Sequence, residues 1–442
     1  MMTKVLARIA NKMQEFTYLK KVEMPVSRLK IGMYVAKLDK AWENSPFLFQ
    51  GFPIEEQKQL DLLREECSTV IIEFKSQESY DNYLSSDILD EEVNPGADEG
   101  DLALLDELPN AIKLFKSTVK LMKLTLRLVM QAKSFNIGEI ETAVVDFITS
   151  LEHNKEALLL ASNVRSEIAY DAEHCVRITI LAIAFGQHLG RSQEQLRVLG
   201  LGGLLHDIGK SLIPAKILNK EGKLLREDAL LLREHPRKSF DILSKIEGIS
   251  EAVKEIALSH HERHDGKGYP RHISKDRVSG YAKIISIISV YDAIVSARNY
   301  RTARAPSVAF KILNDGRAEK FDPELVDSFL QWMGVSPTGA LVEMTSGEIG
   351  IVIKNNEKRK LSPRVLLVTD ENKKNGYQKM IDVLTMEQNS NGEPYKVKSV
   401  LTEFTHGIHI EHYLDRESFG MPVWLENKET ESNKDSPFSK YL

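Results

Sequence analysis

The sequence predicts a mainly α-helical protein: an all-helical central domain, a small α+β domain before it and a small β-rich module after it. Apolar residues recur at helical intervals from about residue 109 to 335. Strand-like alternation of apolar and polar residues flanks that region. The chain has 442 residues, more than one core of about 250–300 residues usually supports. Several domains are therefore expected.

Composition indicates a globular protein, with 42% hydrophobic and 28% charged residues. The two cysteines, Cys67 and Cys175, are too few for a disulfide framework and form no CxxC pair. No apolar run approaches the roughly 18 residues of a membrane span. A net charge of −5 provides no basic footprint for a nucleic-acid polymer. We predict a cytoplasmic protein without a membrane span.

The N-terminal half divides by composition into three segments. Residues 20–85 mix strand-like runs with a helical stretch and predict the small α+β domain. Residues 86–108 carry nine acidic residues, no Lys or Arg, and an Asn-Pro-Gly sequence, which predicts a solvated linker. Residues 109–165 predict connecting helices. These helices could dimerise or carry a signal, or they could form the first layer of the following domain.

The C-terminal half divides in the same way. Residues 166–335 read as amphipathic helices separated by short Gly or Pro loops, which predicts one all-α domain. In residues 336–425 the sequence LVEMTSGEIGIVIKN alternates around a Ser-Gly turn, so a β-rich module is expected. The polar residues 426–442 predict a flexible tail.

Histidines concentrate in the helical domain, where eight of the twelve lie between His174 and His272. His206 and Asp207 are adjacent on an apolar helix, which places two metal-binding groups on one turn. Lys210 follows His206 by four residues and projects from the same face. Two consecutive histidines, His260 and His261, end an apolar helix and are costly to bury unless something binds their lone pairs.

The same domain contains further candidate ligands. Asp292 interrupts an apolar run in which an isolated carboxylate would be unfavourable without a cation or strong hydrogen bonds. Imidazole and carboxylate donors without thiolate suit iron or manganese. Seven donors exceed the needs of one ion, whereas two ions about 3.5–4 Å apart sharing a carboxylate would use them all. We predict two divalent ions, Fe or Mn, with the ligands His174, His206, Asp207, His235, His260, His261 and Asp292.

Basic residues near these ligands predict a phosphate-containing substrate. Arginine forks match phosphate oxygens in bidentate fashion, and two metal ions offset the charge on a phosphoryl group under attack. The alternative is an ordinary solvated basic surface. The candidates for phosphate contact are Lys210, Arg298, Arg301 and Arg304.

Five sequence elements follow one another in the helical domain: His174, HDIGK at 206–210, EHP at 234–236, HHERHDGKGYP at 260–270 and Asp292. Together they resemble the pattern of the HD-GYP family of metal-dependent phosphohydrolases. The resemblance covers roughly residues 165–335. The region 31–52 is also similar to a small domain of unknown function that often precedes this catalytic domain in bacteria.

The resemblance implies hydrolysis of the bacterial second messenger cyclic di-GMP to pGpG, and in some members to GMP. It implies one metal on His174, His206, Asp207 and Asp292, and another on Asp207, His235, His260 and His261. Asp207 and Lys210 would be catalytic. The substrate contacts would be Lys210, Arg298, Arg301, Arg304 and Tyr269.

The resemblance also bears on partners and on departures from the family pattern. The loop from Gly266 to Pro270 docks a diguanylate cyclase (GGDEF) domain in some members. A homodimer formed through the connecting helices is a further expectation. Some members hold a third metal with an acidic residue where this chain has Tyr170, so we predict two ions. Ala297 and Asn299 stand where the family often has Asp and Pro, which affects loop geometry rather than the metal ligands.

Two other functions stay open at this point. The site could hydrolyse another cyclic dinucleotide, such as 3′3′-cyclic GMP-AMP, or another phosphoester. It could also act as a receptor that binds a cyclic dinucleotide with little turnover. The complete set of seven metal-binding side chains favours an enzyme.

Overall fold

The computed structural model divides into two compact units, residues 1–98 and 99–442, and each is described by itself. The residues described are 20–26, 29, 31–39, 52–54, 57–67, 69–74, 99–164, 170–218, 220, 222, 225–296, 303–356, 359, 361–385, 387–389 and 392–414.

The described residues of the first unit form a four-stranded antiparallel sheet with one helix, which confirms the predicted small α+β domain. Its strands follow the order β1-β4-β2-β3, and Val22 of β1 pairs with Ile72 of β4. Val35, Leu63 and Ile72 are fully buried in its core. The elements are β1 (Lys20–Pro25), β2 (Tyr34–Leu38), β3 (Phe52–Pro53), α1 (Gln57–Glu66) and β4 (Thr69–Phe74).

The described residues of the second unit are helical from Glu99 to Met333, apart from the connecting loops, as the sequence predicts. No helix of the described residues has the length and apolar character that crossing a membrane requires. The helices are α2 (Glu99–Met130), α3 (Ile137–His153), α4 (Lys155–Ala161), α5 (Tyr170–His188), α6 (Gln193–Leu205), α7 (Ala215–Leu218), α8 (Arg226–Leu232), α9 (His235–Leu243), α10 (Glu251–Ser259), α11 (Gly280–Val295), α12 (Pro306–Asp315) and α13 (Pro323–Met333).

Helix α2 starts earlier than the sequence predicts. The acidic linker was expected to extend to residue 108, but α2 begins at Glu99 and contains Pro109. The linker prediction is therefore wrong for residues 99–108. Leu105, Leu108 and Ala111 are all buried in the main core, on both sides of Pro109. Burial of this continuous apolar face offsets the helix-breaking effect of the proline, which normally costs about 3 kcal/mol.

Helix α5 forms the centre of the helical core. Its residues 172–186 are all buried, so it is surrounded on every side, as expected for a helix that is apolar around its circumference. Helices α6 and α11 pack against it, and Ile284 and Ile288 of α11 are buried in the same core. Polar residues on α5 are thereby placed in the interior, where they need partners.

The segment after α6 packs closely against α9. Residues 208–212 form a short 3₁₀ helix that carries Gly209, whose N–H donates to Ser239 Oγ of α9 at 2.8 Å. A Cβ at position 209 would lie 2.3 Å from the main-chain oxygen of His235. Only glycine therefore allows the two segments to approach this closely, and this approach brings the HDIGK segment next to His235.

The β-rich module is a five-stranded antiparallel sheet that packs onto the helices, and it includes the predicted hairpin. The strand order is β8-β7-β6-β5-β9. Along β6, Ile349, Ile351 and Ile353 join the helical core, whereas Val352 faces a separate cluster. Both faces of the sheet are therefore buried. The strands are β5 (Leu341–Met344), β6 (Ile349–Lys354), β7 (Arg364–Thr369), β8 (Asn375–Asp382) and β9 (Val397–Val400).

The close approach at Gly209 predicts that Gly209→Ala destabilises the protein by about 1–3 kcal/mol, because the methyl group would overlap the main chain of α9. Urea unfolding measures this difference. Gly280→Ala is the matched control, since a Cβ there meets nothing within 4 Å and alanine favours the helix by up to about 1 kcal/mol. Equal effects of the two substitutions would contradict the packing argument.

Candidate metal centre

Four helix boundaries bring the predicted ligands together. Helix α6 ends at Leu205, so His206 and Asp207 project from its last turn. Helix α9 begins with His235, and α10 ends just before His260 and His261. His174 lies in the second turn of α5 and is buried. The convergence of helix ends places groups that are far apart in sequence around one point.

These side chains form two groups that share Asp207. The donor atoms of His174, His206 and Asp207 lie within 4.8 Å of one another, and so do those of Asp207, His235, His260 and His261. Asp207 Oδ2 is 3.1 Å from His206 Nε2, and its Oδ1 is 3.1 Å from His235 Nε2. One carboxylate therefore presents one oxygen to each group.

Main-chain carbonyls determine which nitrogen of three histidines carries the proton. Nδ1 of His206 lies 2.8 Å from Gly203 O, Nδ1 of His235 lies 2.6 Å from Leu232 O, and Nδ1 of His260 lies 3.0 Å from Ala257 O. A carbonyl oxygen only accepts, so each Nδ1 must donate. In the neutral ring the lone pair is then on Nε2, which faces the cluster.

The Nε2 atoms of the cluster face one another at short distances. His235 Nε2 lies 3.3 Å from His260 Nε2 and 3.1 Å from His261 Nε2. Within the described part of the chain, His206 Nε2 and Asp207 Oδ1 are buried without a hydrogen bond. Converging lone pairs and an unsatisfied carboxylate oxygen repel each other in a buried site. The residues therefore fit divalent metal ions.

The protonation states of the histidines and of Asp207 are those that metal binding requires. Burial lowers the pKa of His174 and of His260 to about 4, and it lowers the pKa of His261 well below the ordinary value. Burial alone would raise the pKa of Asp207, but the adjacent His206 and the Lys210 ammonium group outweigh it and hold that pKa well below its usual range. Neutral imidazoles and an ionised carboxylate are the forms that bind metals.

Asp292, the seventh predicted ligand, lies behind the first group. Its Oδ2 accepts from His174 Nδ1 at 2.6 Å, its Oδ1 accepts from Arg177 Nε at 2.6 Å, and Ser296 Oγ donates to Oδ1 at 3.1 Å. Burial would raise the pKa of Asp292, but the Arg177 guanidinium holds it well below its usual range. Asp292 orients His174, and its role as a direct ligand stays a prediction.

Arg177 is a site residue that the sequence analysis missed. It is buried on α5 and donates to both oxygens of Asp292, the second at 3.1 Å from Nη2, while Glu173 lies 3.5 Å from Nη1. A buried arginine requires such pairing. The signal was present in the sequence, because an arginine three residues after His174 interrupts an otherwise apolar helix.

The predicted catalytic lysine lies at the cluster. Lys210 Nζ is 2.5 Å from Asp207 Oδ2, and its side chain is 18% exposed, which places the ammonium group between the cluster and solvent. Tyr269 stacks on His261 with ring centroids 4.7 Å apart. Its ring therefore contacts a candidate ligand directly, and burial raises the pKa of its phenol.

The Gly266–Pro270 loop is held by buried hydrogen bonds. Glu262, a second missed residue, accepts from the N–H groups of Arg271 at 2.6 Å and Ile273 at 3.2 Å. A Cβ at Gly268 would lie 2.4 Å from Arg263 N, so glycine is required for this fold of the loop. The loop thereby supports Tyr269 beside His261.

Of the three predicted arginines, only Arg304 lies among the described residues. Arg298 and Arg301, with Ala297 and Asn299, lie outside the described residues. Arg304 is exposed and lines a cavity together with Tyr291 and Glu403, and no residue of the two metal groups is among the described residues lining that cavity. Its predicted contact with substrate stays a prediction.

Comparison with known proteins finds two domains in this chain and several related phosphodiesterases. Residues 154–325 match the HD domain, and residues 21–140 match a domain of unknown function, DUF3391. The chain is 29% identical to Cyclic di-GMP phosphodiesterase PA4108 of Pseudomonas aeruginosa, over 77% of this chain and 84% of that protein.

Two other relatives share shorter regions. Cyclic di-GMP phosphodiesterase response regulator RpfG of Xanthomonas campestris pv. campestris is 35% identical over 35% of this chain and 41% of its own length. The 3'3'-cGAMP-specific phosphodiesterase 1 of Vibrio cholerae is 34% identical over 36% of each chain. The chain thus spans less than half the length of these two relatives.

The fold and the histidine-aspartate cluster define an HD-domain protein, a class whose domain implies bound divalent metal. Residues 154–325 of this chain form an HD domain, and a DUF3391 domain precedes it in the N-terminal part.

The lowered histidine pKa values predict a pH-dependent stability of the metal-free protein. His174 and His260 have pKa values of about 4 in the folded protein, against the ordinary histidine value of 6.5 that applies in the unfolded chain. Between these values the unfolded chain binds more protons, so stability falls as the pH decreases from 6.5 toward 4. Thermal unfolding after chelation should show a midpoint several degrees lower at pH 5 than at pH 7.5.

The control for this experiment compares two variants. His260→Gln should reduce the pH dependence, because one titrating group is removed, whereas the exposed His153→Gln should leave it unchanged. A midpoint that does not change between the two pH values would show that these rings are not buried in the neutral form.

The pairing of Arg177 predicts that Arg177→Met destabilises the metal-free protein by about 3–5 kcal/mol, because the buried carboxylate of Asp292 loses its cationic partner. Exposed Arg191 provides the control, and Arg191→Met should change stability by less than about 0.5 kcal/mol. Urea unfolding measures both. Similar small effects would mean that the Arg177 pair contributes little.

Proposed function

We propose that this chain is a metal-dependent phosphodiesterase that hydrolyses cyclic di-GMP to pGpG, to GMP, or to both. One observation carries the proposal: five histidines and Asp207 converge in one partly open site whose Nε2 lone pairs face each other. The activity named for PA4108, which this chain resembles over most of both lengths, supports cyclic di-GMP as the substrate.

We infer that two ions occupy the site. The first would be held by His174, His206 and Asp207, with Asp292 as a further ligand or as the partner of His174. The second would be held by Asp207, His235, His260 and His261. Nitrogen and oxygen donors without thiolate favour iron or manganese. When bound, such ions lower the pKa of water and offset charge on phosphoryl oxygens.

The protein's own residues provide orientation and charge. Asp207 offers one oxygen to each group, and Lys210 beside it supplies a cation at the edge of the cluster. An ammonium group at that position would donate to a phosphate oxygen that enters from solvent. The carbonyls that accept from His206, His235 and His260 keep these rings oriented while substrate binds.

Hydrolysis of 3′3′-cyclic GMP-AMP is the second candidate, and the 34% identity to a phosphodiesterase named for it supports this candidate. A receptor with little turnover is a third. Parallel turnover of both dinucleotides separates the first two. Tight binding with a full metal content and negligible hydrolysis would favour the receptor.

The proposed location and partners rest on fewer observations. Both cysteines are buried free thiols, which agrees with a reducing cytoplasm. Lys267 is 79% exposed, so the Gly266–Pro270 loop reaches solvent, where it could dock a diguanylate cyclase (GGDEF) domain. Light scattering of the full chain tests the proposed homodimer, and loss of GGDEF binding in Lys267→Glu tests the docking.

Asp207→Ala tests the proposed function directly. Because Asp207 contributes to both groups, the variant should lose most of its bound metal and its turnover should fall to the background rate. Metal analysis and chromatography of the products from cyclic di-GMP measure the two effects. Asp241→Ala, which removes an exposed aspartate of α9, should behave as the unmodified protein. Intact cyclic di-GMP after incubation with fully metal-loaded protein would rule out the proposal.

A further inference from the structure

The metal cluster is open to solvent on one side. Asp207, His235 and His260 are buried, whereas His261 is only half-buried. Lys210 is also partly exposed. A substrate phosphate must therefore approach the cluster past His261 and Lys210, and side chains at this opening will contact the rest of the substrate.

Tyr269 and Arg233 lie at the opening. The Tyr269 ring is stacked on His261 with an interplanar angle of 22°, and the guanidinium carbon of Arg233 lies 5.4 Å from the Tyr269 ring centroid. Arg233 directly follows α8, whose Leu232 carbonyl accepts from His235 Nδ1. The same turn of the chain therefore orients a candidate ligand and places a cation at the rim of the site.

The guanidinium of Arg233 has donors available for a ligand. Arg177, Arg263 and Arg271 are each paired with a carboxylate, but no carboxylate of the described residues lies within ion-pair distance of Arg233, which is exposed. A guanidinium that rests on an aromatic face keeps its N–H groups free along its edge. Those N–H groups match two oxygens of a phosphate.

We propose that Arg233 binds the phosphate of the cyclic dinucleotide that is not being cleaved, with Tyr269 as the surface that supports its guanidinium. The proposal rests on the proposed function, because a cyclic dinucleotide has two phosphodiesters in one ring. When one is at the metal cluster beside Lys210, the other lies outside the cluster and requires a separate cation. Arg233 is a cation of this kind at the opening.

The experiment compares Arg233→Ala with Arg237→Ala, a charge-matched change at an exposed position of α9. Each metal-loaded variant is assayed with cyclic di-GMP and with bis(p-nitrophenyl) phosphate, a diester that has no second phosphate. Loss of a charge-assisted hydrogen bond predicts a fall in kcat/KM for cyclic di-GMP of about 10- to 100-fold, mainly through KM. Turnover of the single diester should be unchanged, and Arg237→Ala should affect neither substrate.

The conservative variant Arg233→Lys should recover part of the loss, because it retains the charge without the fork. An equal loss on both substrates would overturn the proposal, since Arg233 would then act on the metal cluster or the loop. Unchanged kinetics with cyclic di-GMP in Arg233→Ala would overturn it as well.

Calorimetric titration with cyclic di-GMP distinguishes failure of this proposal from failure of the proposed function. If the unmodified protein binds the dinucleotide without hydrolysing it, the proposed function fails, and weaker binding by Arg233→Ala still supports the phosphate contact. If the unmodified protein neither binds nor hydrolyses it, both proposals fail.

Discussion

The structure of the site depends on the burial of one carboxylate among imidazole nitrogens. Asp207 lies 3.1 Å from nitrogens of His206 and His235, 3.6 Å from His260 and 3.7 Å from His174. A cluster of neutral rings and a carboxylate has more acceptors than donors, and low dielectric strengthens the resulting repulsion. A divalent cation would attract every one of these donor atoms, and that attraction would outweigh their mutual repulsion. The residues that are unfavourable neighbours without metal would then share it as ligands.

The surrounding fold keeps these groups in position at some cost in stability. The main-chain carbonyls of Gly203, Leu232 and Ala257 each accept a hydrogen bond from a histidine Nδ1. Carbonyls in the last turn of a helix have no partner within the helix, so here they are free to orient the histidine rings. On the other side, Arg177 and Asp292 support His174 from the interior of α5 and α11. Rigid helix ends and buried ion pairs thus determine where the lone pairs point.

Much of the fold and most of the metal cluster could be predicted from the sequence, because both depend on local patterns. Helical periodicity predicted the central domain, alternation predicted the β5–β6 hairpin, and histidines in apolar helices indicated a need for cations. Two features depend on long-range packing and were not predicted. The linker was expected to continue to residue 108, although the core buries Leu104, Leu105 and Leu108. The pairing of Asp292 with Arg177 was also missed, and the role of Asp292 as a metal ligand stays a prediction.

The sequence by itself determined which chemical groups are present and which of them could not be buried alone. The tertiary structure decided which groups meet, because contacts between residues more than a hundred positions apart depend on how helices pack. It brought Arg233 beside Tyr269, whose ring stacks on the half-buried His261, whereas the contact of Arg304 with substrate stays a prediction. Burial is a property of the packed chain, and it keeps His174, His260 and His261 neutral by lowering their pKa values.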